Sequence, residues 1–406
     1  MGLLNRYPRA FWVLLAGFFI NRVSAALIWP FLTLFIRQST DAPLSSVTLL
    51  ISLQAVAGLV ATSVIGVLMD RFGRKPPMII SLLLGSAVLL AMTTADSLPE
   101  WAVLIALYGA LNPVFFVGTY AMVADLVEPE ERTKAYALQR MIANVAIAVG
   151  PALSGYFLAG TPALTYITTA AANVLLAGIG TLWIIETLPK HKRGQAEEAS
   201  IGGYGELLRD RRFMSFIATF VLIEIAVALT FVLLPVYTNE QFAIPEGQYA
   251  LLLTVNAGMV IVLQFGMTRL TTGFRPLLVM AVGACFYAVG LTIFGLANQF
   301  PHFVLGMVVL TTGELMVAPT ATGLAANMAP PAMRARYMGA LSVCFTIGAG
   351  IGPVVGGILS DALTPAAIWY GGAGAALLAV GGFLLLARAY ERRGLTLTTS
   401  SDQSAA

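Results

Sequence analysis

Charge is sparse in this chain. Only 11% of its 406 residues are Asp, Glu, Lys or Arg, against about 25% in a soluble globular protein. Water on all sides is excluded by that shortage. Cysteine and histidine are scarcer still, with two of each. Cys285 and Cys344 both fall inside apolar runs, so neither a disulfide framework nor a thiolate metal site is indicated. His191 and His302 lie at loop-like positions far apart in sequence. No zinc motif, phosphate-cradling Gly-rich loop or Ser/His/Asp-type arrangement stands out. No catalytic residue, metal or cofactor is therefore assigned, and an enzyme is not expected. The net charge of +3 says little by itself, and no nucleic-acid partner is expected.

Apolar residues make up 58% of the sequence, and they come in runs. Twelve segments are long enough to cross a bilayer, which takes about 20 apolar residues: 11–36, 45–69, 76–95, 99–127, 133–159, 163–187, 213–239, 247–270, 275–297, 301–328, 333–360 and 365–389. Lipid leaves a single span no way but a helix to satisfy its backbone. Pro30 and Pro235 should kink the first and seventh. The start, Met1 to Arg9 followed by a run from Phe11, imitates a signal peptide. The run continues to Ile36, longer than a secretory apolar core, so an uncleaved first helix is expected.

The cations give the orientation. With both termini inside, all of the 23 Lys and Arg except Arg22, Arg37 and Arg140 fall in inner segments. The outer segments hold Arg37 against Asp41, Asp96, Glu100, Glu240, Glu246 and Asp361. That bias is a strong positive-inside pattern. It places the chain in a cell inner (cytoplasmic) membrane, multi-pass, with the lipid bilayer as a partner. The longest polar stretch, Pro189 to Arg212, halves the chain, and its end from Tyr204 reads as a surface helix. The expected domains are an N-terminal six-helix bundle at 1–187, a cytoplasmic linker at 188–212, a C-terminal six-helix bundle at 213–395 and a disordered tail at 396–406.

The halves repeat at an offset of 202 residues. Pro129, Arg132 and Lys134 meet Pro331, Arg334 and Arg336; Gly150-Pro151 meets Gly352-Pro353; Gly155 meets Gly357; Asp125 meets Asn327. An even number of spans per half makes this a parallel repeat, related by an axis along the membrane normal.

Between the second and third segments runs Gly66-Val-Leu-Met-Asp70-Arg71-Phe-Gly73-Arg74-Lys75-Pro76. Gly73 permits positive φ in the turn, and Pro76 suits the first turn of the next helix. Asp70, poorly solvated at the last turn of an apolar helix, should pair with a cation. This pattern resembles the signature loop of the major facilitator superfamily. The second half has only a worn counterpart, Gly273-Phe-Arg275-Pro276, which lacks the acid. The resemblance implies an all-α membrane protein, twelve transmembrane helices in two pseudo-symmetric six-helix bundles. It also implies an inner gate of Gly66, Asp70, Arg71, Gly73, Arg74 and Asp125, with Arg74 joining the two acids. Asp70 would also face the helix that begins near Met333, whose positive dipole end favours an anion.

Three charges lie near mid-membrane. Arg22 is about eleven residues into segment one, Glu224 about eleven into segment seven and Glu314 about thirteen into segment ten. At 1.5 Å per residue each is roughly 16–20 Å deep. Such a charge costs at least about 2.5–3.5 kcal/mol unless it meets a cavity or a partner. Two readings stay open: Arg22 and one glutamate form a fixed pair, or one or both glutamates exchange protons in a central cavity. Gly313-Glu314-Leu-Met-Val-Ala-Pro319 resembles a stretch of some multidrug proton antiporters of the superfamily, which implies a substrate and proton contact at Glu314. Further cavity candidates are Asn21, Gln54, Asn112, Phe115, Phe116 and Asn144. Gly150, Pro151 and Gly155, with Gly352 and Pro353, resemble the segment-five antiporter motif; close helix packing explains them equally well.

The expected function is secondary active transport by alternating access, as a proton-coupled exporter of small amphipathic compounds. Small-molecule substrate and protons are the partners, and a monomer is expected. The alternatives are a transporter of one defined metabolite or lipid, or a non-transporting membrane sensor or scaffold.

Overall fold

The computed structural model describes residues 7–128, 131–157, 161–188, 204–330 and 333–391. The tail and most of the linker lie outside these residues. The described chain forms fourteen α-helices in this order: α1 Arg9–Ile28, α2 Leu32–Thr40, α3 Leu44–Phe72, α4 Lys75–Ala91, α5 Leu98–Leu126, α6 Arg132–Phe157, α7 Pro162–Trp183, α8 Tyr204–Arg209, α9 Arg211–Phe242, α10 Glu246–Thr271, α11 Pro276–Leu296, α12 Phe300–Met328, α13 Arg334–Ala362 and α14 Ala367–Glu391. Twelve of them are long and apolar enough to cross a membrane. Many of their large apolar side chains are solvent-facing in the bare protein, Phe265 at 82% and Leu182 at 77% among them. In water such a surface would aggregate; hydrocarbon is its natural neighbour.

Most expected boundaries hold to within a few residues. The first segment differs. Instead of one kinked helix it is two, α1 and α2, broken at Trp29–Phe31 around Pro30. Proline removes one backbone donor and crowds the preceding turn. The same residue type leaves α9 continuous through Pro235, and α6 and α13 continuous through Pro151 and Pro353. The surface helix expected from Tyr204 is α8. It ends before Asp210, whose carboxylate caps α9 by accepting from the Arg212 and Phe213 amides at 3.0 and 3.1 Å.

The chain divides into two compact units. The first is Met1–Ala42, Leu49–Ala199 and Pro245–Thr254; the second is Pro43–Thr48, Ser200–Ile244 and Val255–Ala406. Each unit packs by the same plan. In the first, α1 lies on α6 and α7, and α4 on α5 and α7; in the second, α9 lies on α13 and α14, and α11 on α12 and α14. The repeat holds residue by residue at the closest crossings. Gly150 of α6 meets Val23 and Ala26 of α1, and Gly352 of α13 meets Ile225 and Ala228 of α9. Gly150 and Gly352, Val23 and Ile225, and Ala26 and Ala228 each keep the offset of 202.

Candidate functional site

The repeat aligns the polar residues of the two units. It sets Arg22 on Glu224, Gln54 on Asn256, and Asn112 on Glu314. Each unit therefore carries a polar trio at equivalent places, but with different chemistry.

In the second unit the trio is acidic. Glu224 is 7% exposed, on α9. Gly348 of α13 lies directly on its backbone, so that a Cβ there would come within 2.6 Å of Glu224 carbon and oxygen atoms. Glu314, on α12, is partly exposed, and its Oε2 accepts from Asn256 Nδ2 at 2.8 Å. The same amide donates to Thr311 Oγ1 at 2.9 Å. Both carboxylates belong to this one unit, on α9 and α12. Among the described residues no hydrogen bond or ion pair reaches the Glu224 carboxylate. Two acids within the apolar spans of one unit are each costly to ionise unless they meet a partner or a cavity. Asn256 was not anticipated as a cavity residue; its register with Gln54 is the feature that points to it.

The Gly348 contact gives a first expected result. Gly348→Ala must push α13 away from α9, at a cost of about 1–3 kcal/mol for overpacking, and shift Glu224 with it. Thermal unfolding in detergent should fall clearly below wild type. Gly350→Ala, which meets open space, should leave it unchanged.

In the first unit the trio is basic and neutral. The Arg22 guanidinium lies 4.0 Å from the Phe116 ring centre and 5.4 Å from that of Phe18. Asn21, Asn112 and Phe115 line a small cavity with Tyr108, Ser81 and Asn173. Phe115 is also wholly buried in this unit's core. Gln54 is partly exposed, and its backbone is crossed closely by Gly109. Asn144 is exposed on α6. Arg22 and the two glutamates belong to different units, so neither unit makes the expected pair by itself.

At the α3–α4 loop the expected charge cluster forms. Arg74 Nη1 pairs with Asp70, and Arg74 Nε lies 3.6 Å from Asp125 Oδ2. Arg74 is only 15% exposed by side chain. Gly73 has φ 98°, and Gly273 in the worn counterpart loop has the same value. Arg71 turns outward over Phe72, and Gly66 is exposed with open space around it. Two members were not anticipated. Glu186, after α7, accepts from the Arg74 and Lys75 amides at 2.9 and 3.1 Å and so caps α4. Thr187 donates to Asp125 at 2.6 Å. An acid closing an apolar run beside a cationic loop was the available clue to Glu186.

The small-residue motif packs helices. Gly155 meets Glu246 and Ala250 of α10 in the first unit, as Gly357 meets Ser45 and Thr48 of α3 in the second.

A family profile described as Major Facilitator Superfamily matches residues 14–270 and 228–403. The chain belongs to this superfamily. Relatives of named function carry the same length of chain. A Na(+), Li(+), K(+)/H(+) antiporter of Planococcus maritimus is 26% identical over 381 residues, covering 86% of this chain and 89% of the relative. The multidrug resistance protein MdtH of Yersinia enterocolitica is 24% identical over 302 residues, 73% of each chain. The crystal structure of the nucleoside transporter NupG shares the fold, with a TM-score of 0.77 at 13% identity over 94% of this chain and 100% of NupG. As a superfamily transporter, the chain is a multi-pass membrane protein of twelve helices in two six-helix repeats.

Proposed function

We propose that this transporter is a proton-coupled exporter of small amphipathic compounds. Glu314 and Glu224 exchange the coupled proton while the two six-helix bundles alternate in access. One observation carries the reading: two carboxylates inside membrane-spanning helices of one unit, Glu224 with no bonded partner among the described residues and Glu314 held by Asn256. A merely structural protein would gain nothing from acids at that depth. The relatives named as a proton antiporter and a multidrug resistance protein support it. The α3–α4 cluster serves as the inner gate.

Transport in proteoliposomes across a chemical panel, with and without an imposed proton gradient, tests the proposal. Gradient-dependent uphill movement of amphipathic compounds is the expected result. A second reading, exchange of monovalent cations for protons, has the antiporter relative in its favour. Gradient-driven movement of Na⁺ or K⁺, with none of the organic panel, would establish that reading instead.

The orientation is part of the proposal: both termini and the Pro189–Arg212 segment are cytoplasmic, in the cell inner membrane, and the protein works as a monomer. In a background without Cys285 and Cys344, cysteine at Thr40 should react with an impermeant maleimide on intact cells, and cysteine at Ser200 should not. The reverse pattern would invert the topology.

A further inference from the structure

We propose that Arg22 anchors an anionic group of the substrate, a carboxylate carried on an apolar body. The inference rests on the transport function above and adds the substrate's chemistry to it. Arg22 sits near the middle of α1, where a bare cation is costly. Phe116 and Phe18 offer ring faces to the guanidinium at 4.0 and 5.4 Å, a favourable cation–π arrangement. The guanidinium carries five N–H donors in a rigid fork, and an aromatic ring offers them no oxygen acceptor. Nε is buried and has no acceptor.

Among the described residues no carboxylate pairs with Arg22, and the acids Asp70, Glu100 and Asp125 sit at helix ends. The phenols of Tyr108 and Tyr120 interact electrostatically with Arg22. Asn112 lies beside Tyr108 and adds a neutral donor. A planar two-oxygen acceptor fits such a fork in bidentate fashion. The apolar body has its place as well. Phe18, Phe116 and Tyr120 form one aromatic wall, with ring centres 6.0 Å apart for Phe18–Phe116 and 4.5 Å for Phe116–Tyr120. The repeat sharpens the choice of sign. The position of Arg22 in the second unit is Glu224, so the first unit presents a cation where its twin presents an acid. A cationic headgroup is repelled from this wall, and a neutral one leaves the fork unfilled.

Three probes of one shape test the inference on the full-length protein in lipid nanodiscs: 2-naphthoate, 2-naphthamide and 2-naphthylmethylammonium. The carboxylate should bind about tenfold tighter than the amide, the effect of one well-made charged contact, and the ammonium weakest. Arg22→Gln should erase the preference for the carboxylate while keeping amide binding, which also shows that the variant is folded. Arg22→Lys should keep the order with a smaller gap. Equal binding of carboxylate and amide, tightest binding of the ammonium, an intact preference in Arg22→Gln, or no binding of any probe would each overturn the inference. Proton-driven uptake of the same three probes into inverted vesicles, run alongside, separates the two claims. Its persistence without a carboxylate preference removes this inference alone. Its absence with the preference intact removes proton-coupled export and leaves the anion site standing.

Discussion

Glu314→Gln is expected to abolish uphill, proton-driven transport while leaving downhill exchange and equilibrium binding of neutral substrates largely in place. Glutamine keeps the volume of the side chain, and its amide oxygen still accepts from Asn256, which now reaches Glu314 Oε2 at 2.8 Å. What goes is the ability to hold or release a proton. An exporter couples to protons when substrate and proton compete for one carboxylate, since arrival of either then favours departure of the other. Accumulation against a gradient should fall at least tenfold, toward the equilibrium value. Glu224→Gln should give a related, separable defect, because Glu224 lies on another helix with no hydrogen bond to lose. The decisive measurement is proton release on substrate addition to purified protein. Release as in wild type from both variants, with normal uphill pumping, would leave neither glutamate as a coupling site.

The second large effect lies at the α3–α4 loop. Asp70→Asn should slow the transport cycle by about tenfold, or some 1.4 kcal/mol of barrier, with substrate affinity nearly unchanged. Asp70 sits at a helix end beside Arg74, far along α3 from the middle of the span. Arg74→Gln should do more. It leaves Asp70 and Asp125 close together with no cation between them. Their side chains are 39% and 28% exposed, so water screens part of the repulsion. The stability loss should therefore fall between that of a surface pair and a buried one, about 1–3 kcal/mol. Turnover and equilibrium binding measured on the same preparations check this. Near-normal turnover with lost binding would move these residues from gate to binding site.

Most of the architecture was legible because lipid is a strict solvent. It permits one backbone solution per span, so length and apolar content alone gave twelve helices long enough to cross a bilayer. The break at Pro30 was hidden by the same strictness. The run stays apolar from Phe11 to Ile36, and nothing in hydropathy separates a kink from two helices. The loop cluster was readable in Asp70, Arg74 and Asp125, since charges at the ends of apolar runs have few places to go. Glu186 offered only the weaker clue of an acid closing an apolar run, because its partners are two backbone amides, which leave no trace in side-chain identity. Asn256 was overlooked for a related reason. An amide in an apolar helix reads as ordinary helix–helix glue until a neighbouring helix brings a carboxylate to it.

The register between the halves has an evolutionary consequence. A parallel repeat of this kind is what two fused copies of one ancestral gene leave behind. Before duplication, the equivalent complex would have been a homodimer, and any residue chosen for one copy was forced on the other. An arginine at position 22 would have meant two cations, and a glutamate two acids. Only once the gene existed in two copies could that single site become Arg22 in one half and Glu224 in the other. The opposite charges at matching places are thus a dated mark: they arose after the duplication, once each half was free to specialise.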